Sequence, residues 1–125
     1  MEITLNHTIV PTHDNVETAK FYERVFGFEF IKEWGHFAVL KVNSHFTMDF
    51  MNQEDFGWHH YAFKVTDEQF DEIFGRVKEE GIPYGSSPND LENMKTNSSY
   101  GGRGVYFKDA NGHILEILTA DYEID

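Results

Sequence analysis

The chain has 125 residues, a length that suits one compact domain and buries roughly two-thirds of the unfolded surface. Its 22 acidic residues against 10 basic ones leave a net charge of -12, which excludes a phosphate-binding surface for nucleic acid and electrostatic docking on anionic membranes. With no cysteine there is no disulfide, no thiolate nucleophile and no Cys-type zinc site. Met1 runs straight into Ile3-Thr4-Leu5 without a leader pattern, and no apolar run approaches the roughly 20 residues of a membrane span, so a cytoplasmic protein is the expectation.

Ile3 to Val10 reads as a strand closed by Pro11, with His7 in its middle. Asp14 and Glu17 have capping-box spacing, apolar residues from Val16 to Phe26 recur near helical period, and Gly27 ends that helix. Phe28 to Trp34, Phe37 to Val42 and Phe46 to Met51 read as three strands, with turns at Gly35-His36 and Asn43-Ser44. Asn52 to Gly57 is polar and acidic and links two halves. Trp58 to Val65 is the next strand. Thr66 and Gln69 form a second capping-box spacing, with Asp67 and Glu68 favouring the dipole of a helix that Gly81 ends. Ile82-Pro83-Tyr84 is a short edge strand. Gly85 to Gly102 is long, polar and rich in Ser, Asn and Gly, the profile of a functional loop. Val105 to Lys108 and Ile114 to Thr119 then form a hairpin whose turn centres on Asn111-Gly112, and an acidic segment, Asp121 to Asp125, follows.

The halves match. Each runs strand, helix, strand, strand, strand. His7 laid on His60 puts Asp14 on Asp67, and Lys41 laid on Lys108 puts Asp49 on Glu116. A repeated βαβββ unit follows, with a pseudo-twofold arrangement of His7, Asp49, His60 and Glu116. Strand alternation sets His60, Ala62 and Lys64 on one face of their strand and Tyr61, Phe63 and Val65 on the face that meets the helices. Glu116 shares its face with Ile114 and Leu118, and a carboxylate in an apolar strand is costly unless it is paired or coordinated. Two imidazoles and a carboxylate with open positions suit one divalent metal, Fe, Mn, Ni, Co or Zn, that polarises a chelating substrate. His13, His36, His45, His59 and His113 fall at turns or on the opposite face and read as solvated or packing residues.

These stretches resemble the vicinal oxygen chelate superfamily of glyoxalases, extradiol dioxygenases, fosfomycin-resistance transferases and bleomycin-resistance proteins. Leu5-Asn6-His7-Thr8-Ile9-Val10, Ala19-Lys20-Phe21-Tyr22 and Phe26-Gly27-Phe28 look like its first strand and helix. His60-Tyr61-Ala62-Phe63 looks like its fifth strand, and Tyr106 through Glu116 like its final hairpin. The resemblance implies an α+β fold of two tandem βαβββ modules (about 1-53 and 54-125 of a single domain), forming a curved mixed sheet with helices on its outer face. It places the metal ligands at His7, His60 and Glu116, and it implies a homodimer, sometimes with the site completed across subunits. The family's fourth ligand, a Glu, is Asp49 here, so Asp49 is the candidate fourth ligand or general base. The dioxygenase histidine before the last hairpin is replaced by Asn97-Ser98-Ser99, while Tyr106 matches and is the candidate hydrogen-bond donor. Tyr100 and Arg103 at the end of the long loop are candidates for orienting substrate. Lys41, Lys64, Lys95, Arg103 and Lys108 are scattered, without the basic cluster a phosphonate needs. The leading expectation is a metal-dependent lyase, isomerase or ring-cleaving dioxygenase acting on a small molecule that chelates through vicinal oxygens. The alternative is a metal-free, bleomycin-resistance-type binding dimer.

Overall fold

A computed structural model describes residues 2–123; the end of the acidic segment, Ile124 and Asp125, lies outside the described residues. The chain divides into two compact units, Met1–Gly57 and Trp58–Asp125, each built as βαβββ around its own four-stranded sheet.

In the first unit, β1 (His7–Thr12) precedes α1 (Asn15–Phe26), and β2 (Glu29–Trp34), β3 (Phe37–Asn43) and β4 (Phe46–Asn52) follow. The helix starts where Asp14 accepts the Glu17 N–H, and it ends at Gly27, whose φ of 81° places it in the left-handed region open to glycine. The sheet order is β1-β4-β3-β2, with β1 parallel to β4 and the other pairs antiparallel. Val10, Ala38, Leu40, Met48 and Phe50 are fully buried, and Tyr22 of α1 packs on Phe50 with ring centroids 4.9 Å apart. Each of these side chains larger than Ala38 contributes about 1.5–3 kcal/mol by leaving water.

Two expectations shift here. The first strand begins at His7 rather than Ile3 and runs through Pro11 to Thr12. Proline is tolerated because β1 is an edge strand, where one missing N–H costs no ladder bond on the open side. The β3–β4 turn is Ser44-His45, because Asn43 pairs with Phe46 and its side chain accepts the His45 N–H.

In the second unit, β5 (His60–Lys64) precedes α2 (Asp67–Glu79), then β6 (Tyr84–Gly85), β7 (Gly104–Lys108) and β8 (Ile114–Leu118), in the sheet order β5-β8-β7-β6. The α2 capping box is complete: Thr66 Oγ1 accepts from Gln69 N–H, and Gln69 Oε1 accepts from Thr66 N–H. Phe70, Ile73 and Val77 of α2 are buried, as are Val105, Phe107, Leu115 and Ile117 of the sheet.

The β7–β8 connection is wider than a two-residue Asn-Gly turn. Asp109 organises it, one carboxylate oxygen accepting both the Asn111 and the His113 N–H. The Asp109 N–H closes the loop on the His113 carbonyl. Gly112, at φ 86°, supplies the left-handed residue.

The long segment between β6 and β7 is held by its own side chains. Asn93 pairs with Ser86 through two hydrogen bonds, and Asn97 donates to the Ser86 carbonyl while accepting the Ser99 N–H. A short 3₁₀ turn, Ser99–Gly101, closes it. A Cβ on Gly104 would stand 2.7 Å from the Asn97 side chain, so this close approach requires glycine.

Candidate functional site

The strand registers decide which side chains share a face. In the second unit His60 lies opposite Ile114, and Glu116 lies opposite both Ala62 on β5 and Tyr106 on β7. Alternation therefore sets His60, Glu116 and Tyr106 on one face, and Tyr61, Leu115 and Phe107 on the other. Ala62 leaves room between them. The first unit repeats the slot: His7 lies opposite Thr47, and Asp49 lies opposite Ile9, two residues past the histidine. In both sheets the carboxylate thus faces the residue two beyond the histidine. This is the equivalence that the sequence spacing predicts.

Glu116 is the centre of a cluster. It is 3% exposed, and its Oε1 stands 3.2 Å from His60 Nε2. The Tyr122 hydroxyl reaches the same carboxylate, 3.2 Å from Oε1 and 3.4 Å from Oε2. The Tyr106 phenol interacts electrostatically with Glu116 and Tyr122, and its ring stacks beside His60 with centroids 6.1 Å apart. Burial first, and then the Glu116 charge, push the Tyr106 phenol well above its ordinary value. The same two causes raise Tyr122. Both phenols therefore stay protonated in the physiological range and serve as donors.

The His60 ring is fixed from behind. Its Nδ1 lies 3.1 Å from the Ile114 carbonyl, an acceptor, so Nδ1 carries a proton. That leaves the Nε2 lone pair aimed at a carboxylate oxygen. Two lone pairs facing each other repel; a proton or a metal cation between them removes the conflict. An imidazole whose rear N–H is held by a backbone carbonyl also has the usual setting of a metal-ligating histidine. The donor set therefore fits a divalent cation at Nε2 and Oε1.

The backbone around His60 is braced as well. The His59 N–H donates to Nδ1 of His113, which is fully buried, at 2.8 Å, and the Ile114 N–H donates to the His59 carbonyl. Asp109 positions His113 in turn.

The two unit-one candidates have partners of their own. His7, exposed on β1, has Nδ1 2.7 Å from Asn6 Oδ1. Asp49, buried on β4, accepts from Thr47 Oγ1 at 2.9 Å. Among the described residues, no group of three or more His, Cys, Asp or Glu side chains stands close enough to hold a metal ion. The structure thus brings together His60 and Glu116, with Tyr106.

A cavity of about 130 Å³ opens beside this cluster, lined by Asn97, Ser99, Tyr100, Arg103, Tyr106, Glu116, Leu118 and Tyr122. Tyr100 sits at φ 58° and packs on Tyr122, centroids 5.1 Å apart. Arg103 lines the cavity too, but its guanidinium is committed to α2: 2.7 Å from Asp71, 3.6 Å from Asp67 and over the Phe70 ring at 4.2 Å. Those partners make Arg103 a brace between loop and helix. Sequence reasoning missed Tyr122, which lies beyond the last strand in a segment without periodicity. Its only signal was an aromatic residue inside an acidic run.

The model of the Glyoxalase/Bleomycin resistance protein/Dioxygenase superfamily matches residues 4–117. Among solved structures, oxidase ChaP-H2 superposes with a TM-score of 0.93 at 39% identity, covering 98% of this chain and 97% of that one. Oxidase ChaP-H1 does so with a TM-score of 0.91 at 40% identity, covering 98% and 100%. Among curated proteins, the glutathione transferase FosA of Serratia marcescens is 24% identical over 91% of this chain and 79% of its own length.

Proposed function

This chain belongs to the Glyoxalase/Bleomycin resistance protein/Dioxygenase superfamily, and from that premise we propose that it is a metal-dependent oxidase of a small organic molecule that presents two neighbouring oxygens. The observation that carries the proposal is the buried Glu116 carboxylate set 3.2 Å from an imidazole nitrogen whose other face is already bound. Likeness to two oxidases at 39% and 40% identity supports oxidation over the other reactions of the superfamily. Commitment of Arg103 to Asp71 and Asp67 argues against a phosphonate substrate, because this cation of the cavity wall is neutralised from behind.

In this reading His7, His60 and Glu116 hold one divalent metal. When bound, the metal supplies Lewis acidity toward the chelated oxygens and a site for dioxygen, which accepts the electrons the substrate loses. The remaining work falls to the chain. Tyr106, kept protonated by burial and by Glu116, donates a hydrogen bond toward the oxygen that gains negative charge. The Ile114 carbonyl fixes the His60 ring, so the ligand loses little freedom on binding. Tyr100 and Tyr122 present aromatic walls at the mouth of the cavity. Asp49 is the candidate fourth ligand or base, held by Thr47 until it is needed. The protein acts as a homodimer in the cytoplasm.

The test is metal content by elemental mass spectrometry on wild type and Glu116→Ala side by side, followed by dioxygen uptake with small diols and enolisable carbonyl compounds. About one metal per chain, lost in the variant, with substrate-dependent dioxygen uptake, is the expected result. No stoichiometric metal after reconstitution with each ion overturns the proposal and favours a metal-free binding protein. Metal-dependent turnover without dioxygen uptake transfers it to the lyase or isomerase class.

A further inference from the structure

We infer that Tyr122 is a positioning residue for Glu116, carried by a strap that the chain folds back over its own carboxylate. The inference deepens the metal reading above and rests on it for its functional weight. The Glu116 side chain presents two oxygens, and His60 reaches only one of them, Oε1. A carboxylate so buried swings about its last torsion unless its remaining lone pairs are engaged. The Tyr122 hydroxyl engages both oxygens, at 3.2 and 3.4 Å. The Tyr122 hydroxyl holds the plane of the carboxylate, and His60 then meets one fixed oxygen.

The position of Tyr122 is built. The segment leaves β8 at Leu118 and is tied down at each following residue. The Thr119 N–H donates to the Arg103 carbonyl at 3.0 Å, and Thr119 Oγ1 accepts the Arg103 N–H at 2.9 Å. Ala120 packs where a Cβ on Gly102 would collide with it, so that glycine makes space for the strap. Asp121 pairs with Lys64 of β5 at 2.9 Å. Tyr122 finally packs its ring on Tyr100. Arg103, the residue gripped by Thr119, is itself anchored on α2 through Asp71 and Phe70. A continuous path of bonds therefore runs from the helix through the loop and the strap to the carboxylate.

A hydroxyl that orients a ligating carboxylate typically changes metal affinity by about tenfold or more when it is removed. The test uses Tyr122→Phe, which deletes the hydroxyl and keeps the ring that packs on Tyr100. Co(II) affinity is measured by titration of the visible absorption band. Wild type, Tyr122→Phe, Glu116→Ala and the double variant are also unfolded thermally in metal-free form. The expected result is an approximately tenfold loss of Co(II) affinity with a midpoint within about 3 °C of wild type, and a coupling between the two sites worth about threefold or more in the metal-free folding constant. Affinity that is unchanged within twofold, or tighter, overturns the inference, since a merely structural ring would move the midpoint and leave affinity alone. Zero coupling overturns it as well. A wild-type protein that takes up no metal defeats the proposed function instead, and the metal-free cycle then decides the role of Tyr122 by itself.

Discussion

Glu116→Gln separates a residue kept for chemistry from one kept for stability. The amide has the size and reach of the carboxylate. With the His60 Nδ1 proton on the Ile114 carbonyl, the Gln NH₂ can donate to the Nε2 lone pair across the same 3.2 Å, and the Gln oxygen, at the Oε2 position, can accept from Tyr122. The His60 contact and one of the two Tyr122 contacts survive, while the cost of holding a charge in a strand flanked by the buried Leu115 and Ile117 disappears. His60 stays part-exposed, so no stranded buried charge offsets the gain. A net gain of about 1 kcal/mol is the expectation for removing an imperfectly compensated buried charge. Unfolding entropy of about 2.1 cal/mol/K per residue gives about 0.26 kcal/mol/K for a chain of this length, so the metal-free midpoint should rise by about 4 °C. Differential scanning calorimetry of metal-free protein measures this, and a metal titration on the same samples should show uptake lost. A midpoint lowered by about 4 °C or more would make Glu116 a structural hub and refute the reasoning. So would unchanged metal uptake.

Asp109→Ala removes one buried oxygen that accepts two N–H groups, and should cost about 2–3 kcal/mol in urea unfolding. Asp109→Asn, which keeps an acceptor there, should lose less than half of that; equal losses in the two variants would contradict the turn's dependence on that oxygen. Alkaline pH should destabilise wild type more steeply than Tyr106→Phe. The folded phenol is raised, first by burial and then by Glu116, so above about pH 10 the unfolded chain releases a proton that the folded one keeps. Stability is then full below that pH and falls as pH rises toward the folded value; parallel midpoint curves for the two proteins would disprove this. Arg103→Ala should lower the midpoint by a few degrees at low salt and by less at high salt, because its partners Asp67 and Asp71 lie on the open side of α2. The same variant should speed proteolysis between Gly85 and Gly102, and an unaltered cleavage rate would remove the brace.

Local rules made much of this fold readable. Thr66 with Gln69 and Asp14 with Glu17 announced both helix starts, because caps are chemistry between residues three apart. The repeat alignment put His7 with His60 and Asp49 with Glu116, and in both sheets the carboxylate lies opposite the residue two past the histidine, since a period of two leaves one choice of face. What stayed hidden depended on residues far apart in sequence. Arg103 read as a candidate for orienting substrate, and nothing local announced that Asp71, a helix residue 32 positions earlier, pairs with its guanidinium. Pro11 ended a strand on paper and lies inside one, since only the sheet order reveals that β1 is an edge. Tyr122 had no pattern to betray it.

The two carboxylates of the repeat have parted in chemistry while keeping one register. Glu116 extends to an imidazole on the neighbouring strand and to phenols beyond it. Asp49, one methylene shorter, turns to Thr47, two residues back on its own strand and on the same face. For Glu116 to bind a cation between itself and the facing His60 nitrogen, little need move. For Asp49 to do the same, it must give up a hydroxyl donor that already satisfies it in a buried place, at a cost of about 1–3 kcal/mol. Under the proposed function, the divergence makes Glu116 the stronger of the two candidate ligands. It leaves Asp49 as a reserve whose use shows as a change in affinity when Thr47→Val frees it: tighter metal binding marks a fourth ligand, and unchanged binding marks a carboxylate that serves only its own strand.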